Sequence, residues 1–192
     1  LTDGVAVYPV QKTAEGAVTY VKGIPSKGYV VLRSAEAAPK RETFEISERP
    51  EGGFSLETPF YSIVINDQGE FTSLFDKEND RQVLQEGKVG NELRIYEDKP
   101  LCYSNWNTDI FHQEKSWRVE NVRSMEWLEK GPVRATLRVE RELMGTVIRQ
   151  KIHFYGEDRR IDFETYVDWK LSEHLLKVHF PVDVHTDEAT YE

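Results

Sequence analysis

Cysteine is nearly absent from the sequence: Cys102 is the single one in 192 residues. An internal disulfide is therefore excluded, and a lone thiol favours a reducing compartment, for which we expect the cytoplasm. No neighbour in sequence would lower the pKa of this thiol. We therefore expect Cys102 to be a buried or half-buried small hydrophobic residue rather than a nucleophile.

Long apolar runs and an excess of basic residues are also missing. No stretch approaches the roughly 18 apolar residues that a membrane span needs, so no membrane partner is expected. The 25 Lys and Arg residues are outnumbered by 34 Asp and Glu residues, giving a formal net charge of −9. Since a phosphate backbone is held by clustered basic side chains, no nucleic-acid partner is expected either.

The chain begins at Leu1 without a signal-peptide pattern and stops in the alternating stretch VDVHTDEATYE. We expect both ends to lie inside a longer polypeptide.

The common catalytic motifs do not occur. Neither the P-loop, the dinucleotide fingerprint nor a G-x-S-x-G elbow is found, which disfavours nucleotide chemistry and a serine nucleophile. His179, Asp183 and His185 fall at even spacing on one face of a predicted strand. Residues two apart on a strand lie about 7 Å apart and residues six apart about 20 Å, so one flat strand cannot bring all three to one ion. We expect a solvated strand face there, and no metal or other cofactor in this chain.

Helix signals are scarce, whereas a period of two recurs along the chain. The stretch GPVRATLRVEREL alternates apolar with polar residues, which predicts a strand with one buried face. Two further strands follow it and complete a meander. The predicted inward positions are Val133, Ala135, Leu137 and Val139; Ile148, Ile152 and Phe154; and Ile161, Phe163, Thr165, Val167 and Trp169. The outward positions of the first strand are Arg134, Thr136, Arg138 and Glu140.

Other segments carry the same signal. A hairpin is predicted around Asn66 to Gly69, a second turn around Lys77 to Asp80, and a strand from Leu176 to Val184 with its apolar residues on one face. Long strands joined by short turns indicate an all-β fold, a large antiparallel β-sandwich with very little helix.

Residues 1–50 are different, because Pro and Gly interrupt their short strands. They predict the end of a small β unit and a linker, with a boundary near Ser47 to Gly53. Residues 51–192 are predicted to be the N-terminal part of the sandwich.

The segment YEDKPLCYSNWNTDIFH, residues 96–112, is too irregular for a strand and is rich in aromatic and acidic residues. Aromatic faces rimmed by carboxylates are common in sugar sites, and glycoside hydrolysis needs two carboxyl groups about 5 to 9 Å apart. An ordered loop anchored by its aromatics over one end of the sandwich explains the composition equally well. The residues concerned are Tyr96, Glu97, Asp98, Tyr103, Trp106 and Asp109.

Several blocks of the sequence together resemble one known family. FYSIVINDQGEFTSLFDKENDRQVL, GNELRIYEDKP, GPVRATLRVER and RRIDFETYVDWKLSEHLLKVHFPVDVHTDEATYE are similar, in this order, to the C-terminal β region of the α-mannosidases of glycoside hydrolase family thirty-eight. GIPSKGYVVLR, residues 23–33, resembles the small β segment that precedes this region in the family. The resemblance implies a sandwich like that of galactose mutarotase.

The same resemblance implies a parent activity, the zinc-assisted hydrolysis of terminal α-linked mannose with retention of configuration. The family's nucleophile, acid/base and zinc ligands belong to an N-terminal catalytic domain, so no catalytic residue is carried over to this chain and zinc is expected only in that domain. The segment 96–112 matches the family pattern except at Ser104 and Asn107, where carboxylates are usual. The six residues Tyr96, Glu97, Asp98, Tyr103, Trp106 and Asp109 are predicted to contact the catalytic domain or to line its substrate cleft.

The predicted function is therefore that of an accessory β-sandwich domain that supports the catalytic domain of its own polypeptide and is inactive alone. Its expected partners are that domain, a mannose-containing oligosaccharide and, in a homo-oligomer, a second copy of the chain. Two alternatives stay open. In an independent carbohydrate-binding module, Tyr103, Trp106 and Trp117 would form a stacking platform. In a mutarotase-like enzyme, His153 or His179 would converge with a glutamate on one concave face.

Overall fold

The computed structural model of the chain describes residues 1–35, 43–103 and 106–190, and in this part it is built almost entirely of antiparallel strands. The predicted all-β class with very little helix is confirmed, since one short 3₁₀ helix, Ile110–Glu114, accompanies the strands of the described residues. The strands are β1 (Gln11–Thr13), β2 (Gly16–Val18), β3 (Glu45–Glu48), β4 (Phe54–Glu57), β5 (Tyr61–Ile65), β6 (Phe71–Asp76), β7 (Arg81–Gln82), β8 (Glu92–Glu97), β9 (Ser116–Arg118), β10 (Val122–Lys130), β11 (Arg134–Leu143), β12 (Thr146–Tyr155), β13 (Ile161–Asp168) and β14 (His174–His179).

One layer of the sandwich is the four-stranded meander β10-β11-β12-β13. The predicted inward residues of β11 and β12 are buried, because alternate side chains of a strand face the same layer. Thr136 is a correction to the predicted outward face: it is only 1% exposed, since Glu129 and His153 contact its hydroxyl group. On β13 the prediction fails for Thr165 and Trp169, which are exposed at the edge of the sheet.

The opposite layer contains the five-stranded sheet β3-β4-β5-β6-β7. The predicted hairpin at Asn66 to Gly69 joins β5 to β6 and is closed by a hydrogen bond from the Gly69 amide to the Asn66 carbonyl, 3.0 Å long. The turn at Lys77 to Asp80 is confirmed between β6 and β7. Leu56, Ile63, Ile65 and Phe71 of this sheet pack against Leu137, Val139, Ile152 and Phe154 of the meander.

A three-stranded sheet, β14-β8-β9, lies beside the five-stranded one and packs against the far end of the meander. Bridges between Phe71 and Gly90 and between Leu84 and Val182 connect these two sheets. A strand was predicted from Leu176 to Val184. The observed strand, β14, ends earlier, at His179. Four of the predicted strand's alternate apolar residues are partly exposed: Val178 by 51%, Phe180 by 37%, Val182 by 41% and Val184 by 52%.

The N-terminal residues contact the meander from outside. The β1-β2 hairpin lies near the β10-β11 turn, where the Gln11 side chain bonds to the backbone of Arg134. Further on, β3 pairs with β4, so the segment Ser47 to Gly53, where the domain boundary is predicted, includes the turn of a hairpin within the five-stranded sheet. The division of the chain into two domains stays a prediction.

Candidate functional site

The segment 96–112 begins inside a strand. Tyr96 and Glu97 are the last residues of β8, so the expectation that the whole segment is irregular is wrong at its start. The strand holds them because the Glu97 amide donates to the Lys115 carbonyl at 3.1 Å, and the next amide, that of Asp98, donates to Glu173 at 2.8 Å. The described residues that follow, 98–103 and 106–109, form an irregular stretch that leads into the 3₁₀ helix Ile110–Glu114.

Tyr96 is the centre of a cluster on the outer face of the three-stranded sheet. Its side chain is 9% exposed, and its hydroxyl lies 2.9 Å from Nε2 of His179 on β14. The Lys177 ammonium lies 5.3 Å from the centre of its ring, and the His112 ring meets it edge-on at 5.5 Å. The tyrosine is therefore held by β14 on one side and by the 3₁₀ helix on another.

His112 connects the irregular stretch to this cluster. It is 8% exposed, its Nδ1 lies 2.7 Å from the Asp109 carbonyl, and its Nε2 lies 2.6 Å from Nζ of Lys177. We define His112, Lys177 and Tyr96 as the anchor cluster. The sequence did not predict a contact between His112 and Lys177, because the two residues lie 65 positions apart and no local motif indicates that they meet.

Glu97 and Asp109 serve the segment in different ways. The carboxylate of Glu97 accepts hydrogen bonds from Lys99 and Lys115, each 3.1 Å long, and these bonds hold the pKa of Glu97 below its usual value. The Oδ2 atom of Asp109 accepts the Leu101 amide hydrogen at 2.9 Å, which closes the loop on itself. Both acids are thus engaged in stabilising local structure.

The loop and the start of the 3₁₀ helix expose several large apolar side chains, which together we call the loop surface. Trp106 is 88% exposed and Tyr103 is 74% exposed. Cys102 is exposed here as well, which corrects the expectation that it is buried or half-buried. Of the two departures from the family pattern, Asn107 donates weakly to the Cys102 carbonyl at 3.4 Å, whereas Ser104 lies outside the described residues. The members of the loop surface are Leu101, Tyr103, Trp106, Ile110 and Phe111.

An open groove of about 590 Å³ runs along the outer face of β8 and β14 beside Tyr96. Arg94 and Glu92 pair with one another on its floor, and Lys88, His179 and Phe180 lie around it. The groove combines charged and apolar walls, as a polar ligand or the surface of another domain would require.

Of the residues named for the two alternative functions, Tyr103, Trp106 and His179 lie at the loop or the groove, whereas Trp117 and His153 lie elsewhere. Trp117 packs against the core near His174, so it does not join Tyr103 and Trp106 in one exposed platform. His153 is 6% exposed and lies at 2.9 Å from the Thr136 hydroxyl and 3.5 Å from Glu164, at a cavity of about 170 Å³. The histidine and the glutamate contact each other directly, so they are not held apart on two sides of a sugar-sized space.

Within residues 1–35, 43–103 and 106–190, no three His, Cys, Asp or Glu side chains are grouped so that they could hold a metal ion. Nor does this part of the chain include a helix long and apolar enough to cross a membrane.

Comparison with known proteins agrees with the architecture. Residues 56–192 match the model of the family described as Glycosyl hydrolases family 38 C-terminal domain. Alpha-mannosidase G of Dictyostelium discoideum is 32% identical over 147 residues, 73% of this chain and 13% of that protein. Human alpha-mannosidase 2C1 is 25% identical over 175 residues, 88% of this chain and 17% of that protein.

An alpha-mannosidase of Saccharomyces cerevisiae is 27% identical over 143 residues, 68% of this chain and 13% of that protein. The chain thus spans between 13% and 17% of the length of these curated relatives. The match to the family model covers well over half of the 192 residues and falls on the sheets that form the sandwich. The chain belongs to the family of glycosyl hydrolase family 38 C-terminal domains.

Proposed function

We propose that this chain is an accessory β-sandwich domain of a retaining, zinc-dependent α-mannosidase and that it supports the catalytic domain of the same polypeptide. The observation that carries this proposal is the family match over residues 56–192, together with relatives that are all named alpha-mannosidases and are several times longer. Their additional length is sufficient for a separate catalytic domain.

In this proposal the loop surface contacts the catalytic domain and forms part of the wall of the substrate cleft. Large exposed apolar patches mark interaction sites, because their burial against a partner is favourable. Five such side chains lie within eleven positions here, and Trp106 and Tyr103 are of the types enriched at interface centres. The anchor cluster and Asp109 hold the loop in place and so prepare the surface for docking.

The zinc ion and the catalytic carboxylates are proposed to belong to the catalytic domain, and the chain described here contributes structure. The substrate class is a mannose-containing oligosaccharide, which the exposed rings of Tyr103 and Trp106 could contact by stacking. The proposed compartment is the cytoplasm, consistent with one exposed thiol and no possible internal disulfide.

The test compares the full-length polypeptide with the isolated chain. The full-length protein should hydrolyse p-nitrophenyl α-mannoside, lose activity on zinc chelation and release the α anomer first, as observed by proton NMR. The isolated chain with added zinc should give no turnover. Hydrolysis by the isolated chain, or a full-length protein that releases the β anomer, contradicts the proposal.

A second candidate is an independent carbohydrate-binding module, which the two exposed aromatic rings of the loop surface favour. Calorimetric titration of the isolated chain with mannose oligosaccharides distinguishes it. Heat of binding in the wild type that is lost in Trp106→Ala supports the module. No heat of binding in the wild type supports the accessory domain.

A further inference from the structure

The contact between His112 and Lys177 fits one protonation state of the histidine. An ammonium group has three donors and no acceptor, so Nζ of Lys177 must donate to Nε2 of His112, 2.6 Å away. The Nε2 atom must then carry a lone pair. On the other side of the ring, Nδ1 lies 2.7 Å from the Asp109 carbonyl oxygen, which can only accept. Both contacts therefore assign the same state, a neutral imidazole with its proton on Nδ1.

Protonation of His112 is incompatible with this arrangement. It would place a hydrogen on Nε2 and a second positive charge against the Lys177 ammonium. The groups that face His112 are this ammonium from β14, the Tyr96 ring from β8 and the Asp109 carbonyl from the loop. No carboxylate is among the described contacts of His112, so none of these three groups compensates an added positive charge.

The contact also has a mechanical role in the loop. His112 is the buried residue of the 3₁₀ helix, whose neighbours Ile110 and Phe111 belong to the loop surface. Two further bonds complete the attachment: the His112 amide donates to the Asp109 carbonyl at 3.2 Å, and Asp109 accepts the Leu101 amide. Loss of the Lys177 bond frees the histidine ring, and with it the helix, from β14.

We propose that His112 is a proton-sensitive latch that holds the loop surface in its docking geometry when neutral and releases it when protonated. Histidine is the side chain whose charge commonly changes between about pH 8 and pH 5, whereas lysine stays charged throughout that range. Acidification is therefore expected to loosen the 3₁₀ helix Ile110–Glu114 and the Leu101–Asp109 contact while the sandwich stays folded. The consequence for the whole enzyme rests on the proposed function, because it assumes that this surface docks on a catalytic domain.

The latch itself is tested on the 192-residue chain alone, by NMR with ¹⁵N-labelled histidine. At pH 7.5 we expect the Nδ1–H tautomer of His112. The second measurement is the hydrogen-exchange protection of the Leu101 and His112 amides, corrected for the intrinsic pH dependence of exchange. This protection should fall about tenfold as His112 protonates, because the loss of one charge-assisted hydrogen bond has an effect of this size. An Nε2–H tautomer, or protection unchanged by protonation, overturns the proposal.

Three variants separate the latch from a merely structural role. His112→Gln offers an acceptor that does not titrate, so protection should be retained and become insensitive to pH. Lys177→Met removes the cation, and protection should be low at pH 7.5 and no longer respond to protonation. His185→Gln alters a histidine whose side chain is 90% exposed and serves as the control that leaves the pH profile unchanged. A wild-type pH profile in both His112→Gln and Lys177→Met contradicts the latch.

The result is independent of the docking assignment. If the tautomer and the variants behave as expected but acid does not affect the full-length enzyme through His112, then the latch stands and the docking role of the loop surface fails.

Discussion

Gln11 occupies the space directly over Gly131, where an added Cβ would lie 2.2 Å from Cδ of the glutamine. Its Oε1 accepts the amide hydrogens of Val133 and Arg134 at 3.0 and 2.9 Å, and its Nε2 donates to the Arg134 carbonyl at 3.0 Å. One side chain from the β1-β2 hairpin thus satisfies three backbone groups of the β10-β11 turn.

Gln11→Ala should lower the free energy of unfolding by about 1–3 kcal/mol, because the buried Val133 amide and the partly buried Arg134 amide lose their acceptor. Gly131→Ala should cost a similar amount, since the new methyl group displaces the glutamine side chain. The two losses should not add, because both remove the same bonds. Urea unfolding of the wild type, the two single variants and the double variant checks this, and fully additive losses would contradict the arrangement.

Arg141 carries a buried positive charge, and its burial lowers its pKa to about 10. The guanidinium donates to the carbonyls of Gln68 and Gly69 at 2.7 to 3.0 Å. Arg141→Met should reduce the free energy of unfolding by about 3 kcal/mol, because these carbonyls are left unsatisfied. Arg149→Met on the neighbouring strand, where the arginine is half exposed, is the control and should change stability little. Equal denaturation midpoints for the two variants would contradict the expectation.

Glu129 links stability to pH. Its hydrogen bonds with Arg134, at 2.6 and 2.9 Å, hold the pKa of the carboxyl group below its usual value of 4.5. A carboxyl group whose pKa is lowered by folding stabilises the folded state. This stabilisation is complete above the pKa that the group has in the unfolded chain, and it is lost progressively as the pH falls through the lower pKa of the folded state. Glu129→Gln should therefore lower the melting temperature at pH 7, and the difference from wild type should shrink at pH 4 and below.

The control for this experiment is Glu126→Gln, since Glu126 is half exposed and pairs with Arg138 at the surface. It should affect the melting temperature little at either pH. A Glu129→Gln difference that is constant between pH 7 and pH 3 would show that the ion pair does not account for the loss.

Trp106 should matter only when the rest of the polypeptide is present. Because its side chain is 88% exposed, Trp106→Ser should leave the unfolding of the isolated chain unchanged. In the full-length enzyme the same change should weaken docking by about 1–2 kcal/mol, lowering the thermal midpoint or kcat/KM. Asp109→Asn should act in the same direction by weakening the bond to the Leu101 amide.

Tyr29→Ser is the matched control for Trp106→Ser, because Tyr29 is 83% exposed and lies outside the loop surface. Full-length variants at Trp106 and Asp109 with unchanged kinetics and stability would show that the loop surface has no docking role.

Self-association of the isolated chain is also expected. The strand β14 lies at the edge of its sheet, and partly exposed apolar residues such as Val178 and Val184 follow that edge. Edge strands of this kind pair with other chains. Light scattering should show an apparent mass that rises with concentration, and Val178→Lys with Val184→Lys should abolish the rise, whereas Val5→Lys, at a residue 97% exposed, should not. A strict monomer at high concentration would contradict this.

The fold was largely predictable, because the period of two is a local signal that needs no knowledge of partners. It identified the buried positions of β11 and β12, and turn residues identified the hairpin at Asn66 to Gly69. The failures depend on distant contacts. Thr136 is buried by side chains from two other strands, and the edge position of β13 exposes Thr165.

The site was predictable only in outline. The segment 96–112 was located by its composition, and Tyr103 and Trp106 are exposed in it. The contacts of the anchor cluster were not predicted, because Lys177 lies 65 positions from His112 and its contact with Tyr96 also joins two distant parts of the chain. Whether the six predicted residues contact a catalytic domain stays a prediction.

The hairpin formed by β3 and β4 has a practical consequence for producing this protein. The family match begins at residue 56, within β4, while the partner strand of β4 ends at Glu48 and Gln11 lies farther upstream still. A gene fragment cut at residue 56 would leave β5 with a shortened neighbour and would uncover the turn at Gly131. Expression of the sandwich should therefore start upstream of Gln11 if soluble material is wanted.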